Sequence, residues 1–133
     1  MKKELFCLLI DDDPDDRDIF AMAVEKLPVR VKLDYAVHGI EGLTKLKSYG
    51  DQLPDFIFLD LNMHIMNGKE CLSHIKRIAK VSEVPVIIYS TTLNEGIIYE
   101  TLELGAFDHI EKPTQLSTLE KYLKRIFQVG EMA

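Results

Sequence analysis

Five apolar runs alternate along this chain with five stretches whose apolar residues recur at helical spacing. That alternation narrows the accessible folds more than any other feature. The runs are Leu5–Ile10, Val31–Ala36, Phe56–Asp60, Val84–Tyr89 and, more weakly, Asp108–Glu111. Most are continuous rather than alternating, as strands covered on both faces are. Between them the period becomes helical. The first helix is capped by Asp13, carries Pro14 at its first position, and turns Ile19, Phe20, Ala23, Val24 and Leu27 inward. A second is expected over Gly39 to Tyr49 with Ile40, Leu43 and Leu46 inward, and a third over Asn67 to Lys80 with Cys71, Leu72, Ile75, Ile78 and Ala79 inward. The fourth runs from Asn94 to Leu104, with Ile98 and Leu102 inward, and Gly105 closes it. The last covers Gln115 to Gln128, with Leu116, Leu119, Leu123, Ile126 and Phe127 inward. Strands and helices in strict alternation predict an α/β fold, a doubly wound parallel sheet with helices on both faces. At 133 residues, a single domain over 1–133 is expected, with no output domain.

Charge and hydropathy exclude several function classes. The net charge of −6 argues against direct nucleic-acid binding, which Lys and Arg drive by neutralising phosphates. No apolar run approaches the roughly 20 residues that span a bilayer. The start, Met1-Lys2-Lys3-Glu4, leads through six apolar residues straight into acids, unlike a secretory leader. A cytoplasmic location is therefore expected. Cys7, in a strand, and Cys71, on a helix, lack zinc-site spacing and read as buried reduced thiols.

The charged residues at the strand ends carry the chemistry. Asp11-Asp12-Asp13 follows the first strand, Asp60 ends the third, Ser90 follows the fourth and Lys112 the fifth. In an open parallel sheet, ligands bind beyond the carboxyl ends of the strands, so these residues converge. Clustered carboxylates repel unless a cation joins them. Asp12 and Asp60, with a backbone carbonyl, suit an octahedral Mg²⁺ that keeps several waters. Asp60, alone at its strand end, is the better nucleophile toward phosphorus. Lys112 supplies a point charge for phosphoryl oxygens and the Ser90 hydroxyl a hydrogen bond. A cis Lys112–Pro113 bond would fix the direction of that lysine. Taken singly, each residue also fits a cap, turn or surface role.

In Leu8-Leu9-Ile10-Asp11-Asp12-Asp13, Phe58-Leu59-Asp60-Leu61-Asn62-Met63, Met66-Asn67-Gly68, Pro85-Val86-Ile87-Ile88-Tyr89-Ser90, Gly105-Ala106 and Lys112-Pro113, the chain closely resembles the receiver domain of two-component response regulators. The match covers about residues 5 to 128. It implies a flavodoxin-like, five-stranded sheet in order 2-1-3-4-5 with five helices. It implies a stand-alone, chemotaxis-regulator-like protein whose Asp60 accepts a phosphoryl group from a sensor histidine kinase or phosphotransfer protein. By the same mapping Asp11 and Asp12 form the acidic pair, Asp12 ligates Mg²⁺ directly, and the Asn62 carbonyl completes the protein ligands. Ser90 maps to the switch hydroxyl and Lys112 to the phosphoryl-contacting lysine, while Asp13 only caps. The implied product is a phosphoprotein in a phosphorelay, not an enzyme. It acts on a downstream protein not identified by the sequence, as monomer or homodimer.

Three positions depart from that pattern. His64 stands where proline is common, which loosens the loop after Asp60. His109 occupies the place of the switch aromatic. Thr91 is bulkier than the usual residue beside the switch hydroxyl and narrows access to Asp60. On the fourth helix, Ile97, Tyr99 and Leu104 are candidates for a partner surface. Three other readings compete. A haloacid-dehalogenase-like phosphatase would use Asp11-Asp12-Asp13, Ser90 and Lys112, but leaves Asp60 unexplained and has only Glu120 for a further metal acid. A flavodoxin-like cofactor binder would want hydroxyls rather than acids after the first strand. A receiver-like module that works without phosphorylation keeps all the same residues.

Overall fold

The continuous apolar runs become the three inner strands, where both faces need cover. The computed structural model describes residues 4–128. In chain order the elements are β1 (Glu4–Ile10), α1 (Pro14–Glu25), β2 (Arg30–Ala36), α2 (Gly39–Ser48) and β3 (Phe56–Leu59). Then come α3 (Gly68–Arg77), β4 (Val86–Ser90), α4 (Glu95–Glu103), β5 (Asp108–Glu111) and α5 (Leu116–Phe127). All pairings are parallel and the strand order is β2-β1-β3-β4-β5, the expected doubly wound, flavodoxin-like sheet.

Alternate residues of each inner strand feed two separate cores. Leu8, Ile10, Ile57, Leu59, Val86 and Ile88 pack with Leu46 of α2 and Cys71, Leu72 and Ile75 of α3. Cys7, Leu9, Phe58, Ile87 and Tyr89 pack with Phe20, Ala23 and Val24 of α1 and Leu119, Leu123 and Phe127 of α5. Phe20 meets both Phe58 and Tyr89 edge-on, at centroid distances of 4.9 and 5.4 Å. Both cysteines are buried and unpaired, and burial pushes both thiols well above their ordinary range.

Side chains cap the starts of α1, α3 and α4, Asp13 among them as expected. Asp13 accepts from the N–H groups of Asp15 and Asp16, Asn67 from that of Glu70, and Asn94 from that of Ile97. Gly105 closes α4 at φ 104°, a conformation that favours glycine.

Several inward assignments are corrected. Ile19, Ile40 and Leu102 are exposed, by 41%, 48% and 49%. Helix α3 stops at Arg77, leaving Ala79 exposed beyond it. On α4 the inner face is Ile97, Thr101 and Leu104, so only Tyr99 of the three partner-surface candidates stands out in solvent. Among the described residues there is no cis peptide bond, so Lys112–Pro113 is trans. Among the described residues no helix is long and apolar enough to cross a membrane.

Candidate phosphoryl-acceptor site

Strand register brings the charged residues together. Ile10 pairs with Leu59, so Asp11 and Asp60 leave neighbouring strands side by side, and the Asp60 N–H donates to the Ile10 carbonyl at 3.0 Å. Ser90 pairs with Glu111, and the Lys112 N–H donates to the Ser90 carbonyl at 2.8 Å. One carboxylate oxygen from each of Asp11, Asp12 and Asp60 lies within 4.8 Å of the others. Asp11 and Asp60 are buried; Asp12 is half-buried.

Lys112 reaches into this cluster, its side chain only 7% exposed. Its Nζ lies 2.8 Å from Asp11 Oδ2, 2.8 Å from Asp16 Oδ2 and 3.4 Å from Asp60 Oδ2. The contact with Asp11 Oδ2 is an ion pair, and that buried oxygen accepts no hydrogen bond. Its partner oxygen, Oδ1, accepts from the Asp13 N–H at 3.0 Å. Burial and the Asp11 charge raise the Asp60 carboxyl to about 6, against the pull of Lys112. Burial also raises Asp11, with Lys112 opposing. Burial alone would lower the Lys112 ammonium, but the Asp11 and Asp16 carboxylates beside it, with the charge of Asp60, hold it well above its usual range. The site therefore has more negative charge than one lysine neutralises. Its orphaned Asp11 oxygen and three hard oxygen donors fit a divalent cation such as Mg²⁺.

The loop after Asp60 is shaped by its backbone. The Asn62 N–H donates to Asp60 Oδ1 at 3.2 Å, and the Asn62 side-chain amide lies 3.4 Å from Ser90 Oγ. The His64 N–H donates to Asp12 Oδ2 at 3.1 Å, a contact that proline at this position would not allow. Ile65 adopts φ 68°, and the Met66 N–H closes a γ-turn on the His64 carbonyl at 2.7 Å. A β-branched residue is strained in that region and Ile65 is 74% exposed, so little packing offsets the strain. Ile65→Gly is expected to stabilise the fold by about 1 kcal/mol in urea unfolding. Unchanged or lower stability would place the compensation in contacts of the Ile65 side chain.

Gly68 lets α3 begin against this loop. A Cβ there would lie 2.4 Å from the Asp60 carbonyl oxygen and 2.5 Å from Leu61 Cα, both backbone atoms that cannot rotate aside. Gly68→Ala should therefore cost about 2 kcal/mol in urea unfolding. A loss under 0.5 kcal/mol would mean that the loop yields freely (~0.5 being the usual surface range).

His109 lies inward against α4. Its Nε2 is 2.6 Å from Thr101 Oγ1, and that hydroxyl has the Ile97 carbonyl 2.8 Å away. Burial lowers the imidazole's proton affinity, opposed by Asp108.

Asp11, Asp12, Asp60, Asn62, Ser90 and Lys112 thus lie together, with His109 on the neighbouring strand. Asp16 and the His64 N–H were not among the expected site groups. The first pairs with Lys112 across 96 positions; the second had a signal in the absence of proline.

A parallel sheet in this order, with three carboxylates and a lysine at its carboxyl edge, has the architecture of a receiver. The chain belongs to that family: the response regulator receiver domain model matches residues 7–124. Over 114 residues it is 34% identical to a protein-glutamate methylesterase/protein-glutamine glutaminase of Koribacter versatilis, covering 84% of this chain and 30% of that protein. It is 31% identical over 118 residues to the sensor histidine kinase CheAY of Helicobacter pylori, covering 89% of this chain and 14% of that one. The chain thus spans less than a third of either relative. Among solved structures it resembles the phosphorylated cyanobacterial phytochrome response regulator RcpA, at a TM-score of 0.83 and 28% identity, covering 94% of this chain and 92% of that one. Receiver domains are signalling phosphoacceptors of two-component systems that bind Mg²⁺ at an acidic pocket and meet histidine kinases and phosphotransfer proteins. The membership sets aside the dehalogenase-like and flavodoxin-like readings.

Proposed function

We propose that this chain is a response-regulator receiver whose Asp60 accepts a phosphoryl group from a histidine kinase or phosphotransfer protein. The observation that carries the reading is the Asp11, Asp12 and Asp60 cluster with Lys112 inside it. An Asp60 oxygen attacks phosphorus of a phosphohistidine. The new P–O bond forms as the P–N bond breaks, and its electron pair returns to the imidazole. Asp11, Asp12, Asp60 and the Asn62 carbonyl would hold Mg²⁺, which when bound supplies Lewis-acid stabilisation of phosphoryl charge. Lys112 then gains a further anionic partner beside its carboxylates, and the Ser90 hydroxyl gains its first. Ser90 moving toward that group pulls on the end of β4. His109 and Thr101 couple this shift to α4, so the α4-β5-α5 face changes its population and its affinity for a downstream protein.

Intact mass after treatment with phosphoramidate or acetyl phosphate, with and without Mg²⁺, tests the proposal. A Mg²⁺-dependent gain of one phosphoryl group in wild type, lost in Asp60→Asn, is expected. No gain from either donor or from a phosphorylated histidine protein would leave a receiver that works by binding alone.

A further inference from the structure

Lys112 carries three N–H donors and faces three carboxylates. In the resting site the ammonium's hydrogen bond goes to Asp16, with Asp11 and Asp60 beside it as ion-pair partners. A phosphoryl group on Asp60 brings new acceptor oxygens that compete for the ammonium, and the partner that yields most cheaply gives way.

The burial of the three acids decides which. The side chain of Asp11 is fully buried and that of Asp60 is 6% exposed, whereas that of Asp16 is 27% exposed. Releasing Asp11 would leave a buried anion without its counter-ion, which is costly. Releasing Asp16 returns a carboxylate to water on the first turn of α1, where the helix dipole still favours it. Among the described residues the Asp16 carboxylate makes one hydrogen bond, to Lys112 at 2.8 Å.

We propose that Asp16 is a positioning residue that competes with the incoming phosphoryl group for Lys112. The Asp16–Lys112 pair holds the ammonium at rest, and its exchange for phosphoryl oxygens sets how tightly the site takes that group. This rests on the phosphoacceptor reading of Asp60. Asp16 then weakens the charged state, although it lies in an acidic turn that reads as a helix start.

The test uses the full chain saturated with Mg²⁺ and titrated with beryllofluoride, a phosphoryl stand-in that coordinates the acceptor carboxylate. Binding is followed by calorimetry and fluorine NMR. Asp16→Ala should bind beryllofluoride about fivefold tighter than wild type, with Asp16→Asn between them, because one charge-assisted contact no longer competes. Asp15→Asn removes the same charge from the same turn and should stay within about twofold, since exposed charges there are screened. Mg²⁺ affinity alone should not rise in Asp16→Ala, because a nearby negative charge has gone. Unchanged or weaker beryllofluoride binding in Asp16→Ala would overturn the proposal and make Asp16 a support for Lys112. An equal gain in Asp15→Asn would overturn it in favour of bulk charge. If wild type itself bound no beryllofluoride, the phosphoacceptor reading would fail and this inference with it.

Discussion

Asp60→Asn is expected to make the metal-free protein more stable, not less. In chelator at pH 7.5 its thermal midpoint should rise by about 5–10 °C. The cause is the crowding of Asp60 against Asp11 in a buried site with one lysine between them. The folded carboxyl ionises near 6, against an ordinary value of 3.8. A group with that displacement destabilises the fold by about 3 kcal/mol once it is ionised in both states. The sign with pH follows. Below pH 3.8 the group is protonated, folded or unfolded, and contributes no penalty. The penalty builds as pH rises and is complete above 6. Wild type should therefore approach Asp60→Asn as pH falls from 7.5 to 5. Comparing the two proteins cancels groups such as Asp34, whose carboxylate is lowered by bonds to Tyr49 and Lys45 despite burial and shifts stability the other way. Mg²⁺ should close the same gap at pH 7.5 by binding wild type, which gains about 2.7 kcal/mol at a hundredfold excess over Kd. Calorimetric scans at the two pH values decide it. A variant less stable than wild type in chelator would mean that the Asp60 carboxylate holds the fold together.

The strands and the site were legible for one reason and the helix faces illegible for another. Strands β1, β3 and β4 are buried on both faces, so their apolar runs are unbroken and their ends are marked by Asp11, Asp60 and Ser90. A parallel sheet then carries those ends to one edge. The helices contact the sheet along narrow stripes, and apolar residues beside a stripe look inward from spacing alone. Ile19, Ile40 and Leu102 are such residues. On α4 the misreading has a polar cause: Thr101 is fully buried because its hydroxyl bonds to the Ile97 carbonyl and to His109. Spacing of apolar residues cannot reveal a hydroxyl whose partners lie on another element.

The same limit applies within the site. Asp16 follows Pro14 in an acidic turn, and acids there are explained by the helix dipole without any further role. Its partner is 96 positions away. The His64 contact with Asp12 comes from a backbone N–H, which every residue but proline has. Its only trace in the sequence is the residue that is not there.

Lys112→Met should have the opposite effect to Asp60→Asn and a larger one. Methionine keeps most of the stem and removes the charge, which lies over the Tyr89 ring with Nζ 5.2 Å from the centroid. Asp11 and Asp60 are then two buried carboxylates with no buried cation, and unfolding should become easier by about 3–5 kcal/mol in chelator at pH 7.5. Removing one partner of a buried pair is costly because the other stays behind. The loss should shrink as pH falls, since without the ammonium both carboxyls take up protons more readily still. A double-mutant cycle separates this from lost packing. Lys112→Met should cost clearly less in the Asp60→Asn background than in wild type, because fewer buried charges remain to be compensated. If it cost the same in both backgrounds, the lysine would act through its stem and not its charge. A smaller cost in the Asp60→Asn background would instead identify Lys112 as the internal cation that lets an acidic pocket fold before any metal or phosphoryl group arrives.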